Sequence, residues 1–288
     1  MKKILSFLFL LVVAFSLVAC RDKGGDDNGG STPAARTYVA DGKYTAFAAN
    51  DNDGAVQLTW VTVTIKDDKI ESFYIDELQT KNGAWNAKTK KELKFDYNMA
   101  AYGSDKDGDG EVKEWFEQAA IIEAQFMTSL DLTTDADGYI TGLSGATIKD
   151  HDYSKLAKQA VANAKAGIVT DFVANMYGDA VNLVMVSGKV NAEGKIVEVK
   201  LDELQTKEGA WNAKTKQELG YDYNMKAYGS DKDGDGVVLE WFEQANAITA
   251  AWLAGTDITD ISVVSDVTMT DNGYTTVLAK LLAQGWTK

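Results

Sequence analysis

The chain contains its own copy. Residues 76–118 match residues 202–244 at an offset of 126, with 36 identities in 43 positions. Both stretches carry Asp-Glu-Leu-Gln-Thr-Lys, then Gly-Ala-Trp-Asn-Ala-Lys-Thr-Lys, then Tyr-Gly-Ser-Asp-Lys-Asp-Gly-Asp-Gly. A repeating unit of roughly 120 residues is domain-sized, well above the 20–50 residues of solenoid repeats. The expectation is two tandem homologous domains, 37–167 and 168–288, in which any fold adopted by one copy is adopted by the other.

Periodicity gives the fold class. Residues 56–65 are rich in β-branched side chains, Lys66-Asp67-Asp68-Lys69 reads as a turn, and residues 70–75 return. In the second copy residues 181–190 and 196–201 flank the turn residues 191–195. A helical spacing follows at Val112, Trp115, Phe116, Ala119, Ile122 and Phe126, repeated at Val238, Trp241, Phe242 and Ala245. Helices over 153–166 and 274–284 close the two units. Strands first and helices after, without regular alternation, predict α+β domains, each a small antiparallel sheet with packed helices.

The first 36 residues belong to neither copy. Met1-Lys2-Lys3, an apolar run over 4–18 and Ala19-Cys20 describe a signal peptide over residues 1–19. That run of about 15 residues is short for a membrane span of roughly 20. Leu17-Val18-Ala19-Cys20 resembles the lipobox of bacterial lipoproteins. The resemblance implies cleavage before Cys20, lipid on its sulfur, and a chain held at the extracellular face of the bacterial cell membrane. Residues 20–36 read as a lipid-anchored flexible linker reaching roughly 20–25 Å. Within the discarded peptide, Phe15-Ser16-Leu17-Val18-Ala19 looks like the hydrophobic pheromones cut from enterococcal lipoprotein signals.

Composition narrows the chemistry. Cys20 is the only cysteine and His151 the only histidine. Intrachain disulfides, thiolate-held iron–sulfur clusters, Cys-x-x-Cys-His haem sites and multi-histidine metal sites are excluded. Any electron carried by this chain therefore needs an organic cofactor. Net charge is −14, and removal of Lys2 and Lys3 with the signal takes it to −16. So acidic a body repels nucleic acid and anionic headgroups, leaving membrane contact to the lipid.

Just before the first closing helix stands Leu143-Ser144-Gly145-Ala146-Thr147-Ile148. This segment and the opening Asp41-Gly42-Lys43-Tyr44-Thr45 resemble the FMN-binding domain family, whose signature is Ser/Thr-Gly-Ala-Thr/Ser after a strand hairpin. The double-domain layout is similar to the covalently flavinylated surface lipoproteins of Gram-positive extracellular electron transfer, of the pheromone-precursor type. The resemblance implies FMN joined to Thr147 by a phosphoester, transferred from FAD by a separate flavin transferase. It also implies a quinol-linked membrane donor and soluble or mineral acceptors. Gly145 and Ala146 leave the approach to a phosphate open, and amides at a turn before a helix suit one. Where the family often has Asp three residues before the motif, this chain has Thr141, and the nearest upstream acid is Asp137.

In the second copy the matching segment is Val264-Ser265-Asp266-Val267-Thr268-Met269, five residues short of the 126 offset. Thr268 is the second candidate FMN site, with Asp266 placing a negative charge beside any phosphate. Trp85, Tyr97 and Met99, and their equivalents Trp211, Tyr223 and Met225, read either as flavin-packing groups or as core aromatics. His151 reads as a solvated loop histidine, with a proton role near flavin as the alternative.

Asp105, Asp107 and Asp109, repeated as Asp231, Asp233 and Asp235, match the opening of a calcium loop with Gly110 and Gly236 in the sharp turn. Position 12 is Phe116 or Phe242 instead of Glu, with Glu114, Glu117, Glu240 and Glu243 nearby. The loops read as calcium sites or as solvated acidic turns. No Ser-His-Asp set or Gly-rich nucleotide loop marks an independent enzyme. The leading expectation is a membrane-anchored flavin electron carrier; the alternative is a calcium-dependent surface binding lipoprotein.

Overall fold

The computed structural model describes residues 9–10, 36–52, 55–103, 105, 110–229 and 236–288. Cys20 and the linker up to residue 35 lie outside the described residues. The protein is α+β, as its periodicity predicts. The first repeat opens with strands β1 (Gly42–Asn52), β2 (Ala55–Lys66), β3 (Lys69–Lys81) and the short β4 (Ala84–Trp85), paired antiparallel in chain order. Phe9–Leu10 pairs with Ala48–Ala49 at the outer edge of β1.

Helices α1 (Lys90–Leu93), α2 (Met99–Tyr102) and α3 (Trp115–Phe126) follow, then the two-residue strands β5 (Thr133–Thr134) and β6 (Ile140–Thr141), then α4 (Tyr153–Ala166). The second repeat restates the plan. Strands β7 (Ile168–Tyr177), β8 (Ala180–Val190), β9 (Ile196–Lys207) and β10 (Ala210–Trp211) form its sheet. Helices α5 (Lys216–Leu219), α6 (Met225–Tyr228), α7 (Trp241–Leu253) and α8 (Tyr274–Ala283) complete it. The hairpins expected over 56–75 and 181–201 are β2–β3 and β8–β9, and each is preceded within its unit by one further strand, β1 or β7.

Local chemistry explains the register. Asp67 and Asp68 both have positive φ, 50° and 57°, and join Lys66 to Lys69 as a two-residue hairpin turn. Aspartate tolerates this left-handed backbone because its short side chain makes local hydrogen bonds. The Asp41 carboxylate accepts from the amides of Asp67 (2.7 Å) and Asp68 (3.2 Å), pinning the turn to the start of β1.

Alternation along β2 divides the sheet into two faces. Val61, Val63 and Ile65 are buried under α3 and α4 with Phe73 and Ile75 of β3. Leu58 and Trp60 point the other way, toward the second repeat, where they join Phe47, Phe172, Leu183, Met185 and Leu204. The sheets of the two repeats meet through this second cluster, and beside it a cleft of about 840 Å³ remains along the same face, lined by Thr62, Thr64, Tyr74 and Phe172 among others.

Two contacts tie the repeats further. Equivalent tryptophans Trp85 and Trp211 lie against each other, tilted by 43°, with ring centroids 6.0 Å apart, and Trp85 Nε1 donates to Asn182 O at 3.2 Å. Trp286, after the last helix, lies over Gly42 and against the Tyr44 ring at 5.1 Å. A Cβ on Gly42 would fall 2.3 Å from that indole, so only glycine permits the approach. The larger buried cluster consequently runs through both repeats.

Candidate functional site: a threonine cleft in each repeat

The helical face of each sheet changes character along its length. At the far end from the apolar stretch, Thr59 pairs with Glu77 and Gln57 with Gln79, placing four polar side chains on one face. Glu77 has no solvent exposure. It survives there because its neighbours satisfy it. Lys90 from α1 forms an ion pair with Oε2. Tyr153 OH donates to Oε1 at 2.6 Å, and His151 Nδ1 lies 2.8 Å from the same oxygen. Burial alone would raise the Glu77 pKa, but Lys90 and His151 overcome it and hold the carboxyl at about 2.

Against this polar end lies a cleft of about 310 Å³. Tyr97, Met99, Trp115, Tyr139, Lys149 and Thr147 are among its walls. The turn bearing Thr147 is built by its own sequence. Ala146 N donates to Leu143 O at 3.1 Å, and Gly145 takes φ +77° inside the turn. A Cβ at Gly145 would lie 2.7 Å from Lys113 Cε, so the missing side chain lets that lysine stem cover the turn.

Gln118 of α3 fixes what comes next. Its Oε1 accepts from Thr147 N at 2.7 Å and Ile148 N at 3.1 Å, while Nε2 donates to Lys113 O at 2.8 Å. The side chain is 1 % exposed. One buried amide thus ties the threonine to the helix behind it. This differs from the expectation that the motif amides would meet a phosphate at a helix start: α4 begins at Tyr153, and those two amides are already engaged.

The second repeat reproduces the arrangement around Thr268. Gln244 Oε1 accepts from Thr268 N at 2.9 Å and Met269 N at 3.0 Å. Asp266 holds φ +63°, close to the Gly145 conformation. Ser144 and Ser265 occupy the same exposed turn position. The match between Thr147 and Thr268 therefore rests on shared geometry as well as on the sequence. The second cleft is smaller, about 190 Å³, and includes Tyr223, Met225, Trp241 and Tyr274. Glu203 stands where Glu77 stands, paired with Lys216 at 2.9 Å.

The clefts differ in charge. Lys149 lines the first cleft with Thr147, while Lys113 covers the turn with its stem and pairs its ammonium with Glu111 at 3.0 Å; the matching positions hold Thr270 and Leu239, and Asp266 adds an anion. Cations suit a phosphoryl group and an added carboxylate opposes one. In ring surface and charge the residues of the first cleft suit a group such as FMN. The second keeps the threonine and the aromatic wall without a lysine at the Lys149 position.

Several sequence expectations fall elsewhere. Tyr97 and Met99 line the first cleft and Tyr223 and Met225 the second, but Trp85 and Trp211 pack on each other between the repeats. His151 is no free loop residue: it lines the first cleft. Asp107, Asp109, Asp231, Asp233 and Asp235 lie outside the described residues. Asp105 accepts from Gly110 N at 3.0 Å. Glu114 accepts from Met99 N at 2.8 Å and Glu240 from Met225 N at 2.7 Å, so both serve as helix caps. Among the described residues no group of three acidic, histidine or cysteine side chains is placed to hold a metal.

Sequence reasoning missed Gln118 and the Glu77–Lys90 pair. Their signal was present, since all three recur identically at Gln244, Glu203 and Lys216. A neighbour, Asp202, is pushed up to about 6 by burial, against the opposing hydrogen bonds from Thr215, Gln217 and Glu203. A raised acid stabilises fully below its unfolded pKa of 3.8, and that contribution is lost as pH rises through about 6. The loss is on the order of 3 kcal/mol. Asp202→Asn should flatten this part of the curve, measured as denaturation midpoints between pH 4 and 7.

Comparison with protein-family models, with curated proteins and with solved structures finds no match to this chain.

Proposed function

We propose that this protein is a lipid-anchored electron-transfer flavoprotein of the extracellular membrane face, carrying FMN on Thr147 through a phosphoester. A second FMN on Thr268 is expected at lower occupancy. The observation that carries the reading is the placement of Thr147 in a cleft of about 310 Å³ with tyrosine, methionine and tryptophan walls and Lys149 beside it. That volume falls at the lower end of small-molecule sites.

FMN would supply the redox chemistry that the side chains lack. The chain's own residues position and shield. Gln118 orients Thr147, Tyr97 and Trp115 offer ring surface, and Lys149 would offset phosphate charge. The buried Glu77–Lys90 pair gives the cleft floor no net charge. A quinol-linked membrane protein would deliver electrons, and soluble or mineral acceptors would remove them, within the reach given by the lipidated linker.

Coexpression with a flavin transferase should give a yellow protein that keeps its visible absorbance through denaturation and desalting. A protein that loses its colour under those conditions would rule out the ester.

A further inference from the structure

The cleft of about 840 Å³ between the repeats lies on the face of the first sheet opposite the threonine cleft. Trp60, Thr62 and Thr64 line it from β2, two residues apart on one side of the strand. Phe172 of β7 and Lys280 of α8 wall it from the second repeat. Its volume falls within the range of small-molecule sites. We propose that this cleft binds a small aromatic carboxylate, with the ring against Trp60 and the carboxylate at Lys43. The proposal is independent of the flavin reading, since the cleft shares no lining residue with either threonine cleft.

The apolar end of the cleft sets the body of the ligand. Trp60 and Phe172 pack edge to face, with ring centroids 5.2 Å apart, and Leu78 joins the same cluster. Trp60 is only half-buried and lines the cleft, so part of its indole surface is open to a further ring. Aromatic groups favour such offset and edge contacts.

The polar end sets the head group. Lys43 pairs with Thr64 across β1 and β2, and Thr64 with Ser72 across β2 and β3, so an ammonium and two hydroxyls form one row. Both carboxylates of the cleft are engaged. Asp171 accepts from Phe172 N at 2.7 Å and Gln284 Nε2 at 2.6 Å, and pairs with Lys280 at 2.6 Å. Glu71 pairs with Lys66 at 3.2 Å. Among the described residues Lys43 has no ion pair, and the Thr64 and Ser72 hydroxyls have no hydrogen bond. The one uncommitted charge is therefore positive and has two donors beside it. In a chain of net charge −14, that cation favours an anionic head. A single cation balances a carboxylate, whereas a dianionic phosphate would leave a charge over.

The second repeat does not offer this combination. Met185 stands where Trp60 stands, each opposite a phenylalanine of the preceding strand, and it is buried between the sheets. A lysine remains there, Lys189 opposite Ile168, but no ring accompanies it. The site therefore belongs to the first repeat, although residues 76–118 and 202–244 are nearly identical.

Isothermal titration of the full mature chain, made without a flavin transferase, tests the proposal with naphthoate as the probe. Naphthylmethanol and naphthylmethylamine serve as the neutral and cationic controls. Naphthoate should bind most tightly and the amine most weakly. Lys43→Gln, at an exposed side chain, should weaken naphthoate about two- to fivefold and leave naphthylmethanol unchanged. Trp60→Met, which copies Met185 of the second repeat, should weaken both about three- to tenfold. Naphthoate that does not bind, that binds no better than the alcohol, or that responds to neither substitution would overturn the proposal. Flavin mass on Thr147 is read separately, so failure of one reading leaves the other standing.

Discussion

Replacing Glu77 by alanine should cost about 3–5 kcal/mol, because it strands the Lys90 ammonium in a site with almost no solvent. For a chain of this size that corresponds to a fall in Tm of roughly 6–20 °C. The same change removes the acceptor for Tyr153 OH and His151, so the cleft floor loses its organisation as well as its charge balance. Exchanging both partners, Glu77→Leu with Lys90→Met, should recover the part due to the stranded ammonium, since a buried pair contributes little beyond what well-packed apolar groups supply, while the buried Tyr153 OH still lacks its acceptor. Thermal denaturation of the single and double variants separates these outcomes. A double variant as unstable as Glu77→Ala would show that the pair is not the cause.

The pH response has a defined sign. The folded Glu77 carboxyl, at about 2, lies below its unfolded value of 4.5. Its stabilisation is present above pH 4.5 and is lost as pH falls through about 2. Lys90 works at the other end: burial lowers its pKa, Glu77 more than restores it, and the net shift is upward. The pair therefore persists across the neutral range, in contrast to Asp202, whose contribution declines before neutrality.

Gln118→Ala should produce the second large effect, and a more local one. It removes the shared acceptor of the Thr147 and Ile148 amides and the donor to Lys113 O. Stranded buried polar groups cost about 1–3 kcal/mol each, so for these three a loss of at least roughly 3 kcal/mol is expected. The functional consequence should exceed the thermodynamic one: with its tether gone, Thr147 should load FMN poorly while Thr268, held by Gln244, loads as before. Peptide mapping of flavin after coexpression with the transferase reads this directly. Equal loss at both threonines would mean that Gln118 acts through global stability alone.

Much of the architecture was legible because single elements carry strong local signals. The closing helix of the first repeat spans Tyr153–Ala166, with Leu156, Ala157, Ala160, Val161 and Ala164 forming its buried stripe. The Lys66–Lys69 turn was equally plain, since two aspartates between strand-like runs accept a left-handed backbone. The duplication carried the rest, because each element found once could be sought 126 residues later.

The site was legible only in part, for physical reasons. A motif of small residues marks where backbone and ligand approach closely, and it located Thr147. It says nothing of Gln118, whose partners lie 29 and 30 residues away in sequence. Charged residues in a polar block read as solvated, so Glu77 and Lys90 gave no sign of being buried on each other. Tryptophan in a conserved-looking block suits a cofactor or a core alike; only the packing of the two sheets placed Trp85 on Trp211. The shorter loop before Ser265 moves the second motif five residues off the 126 offset, yet its position before the closing helix marks it in the sequence, and the shared turn geometry agrees with that match.

The most direct measurement is the intact mass of the mature protein made with a flavin transferase, followed by peptide mapping, for wild type, Thr147→Ala and Thr268→Ala. The account predicts one FMN on the peptide containing Thr147 in wild type and Thr268→Ala, a lower second occupancy at Thr268, and loss of the first in Thr147→Ala. A wild-type mass with no FMN, or FMN still present on the first peptide in Thr147→Ala, would contradict it.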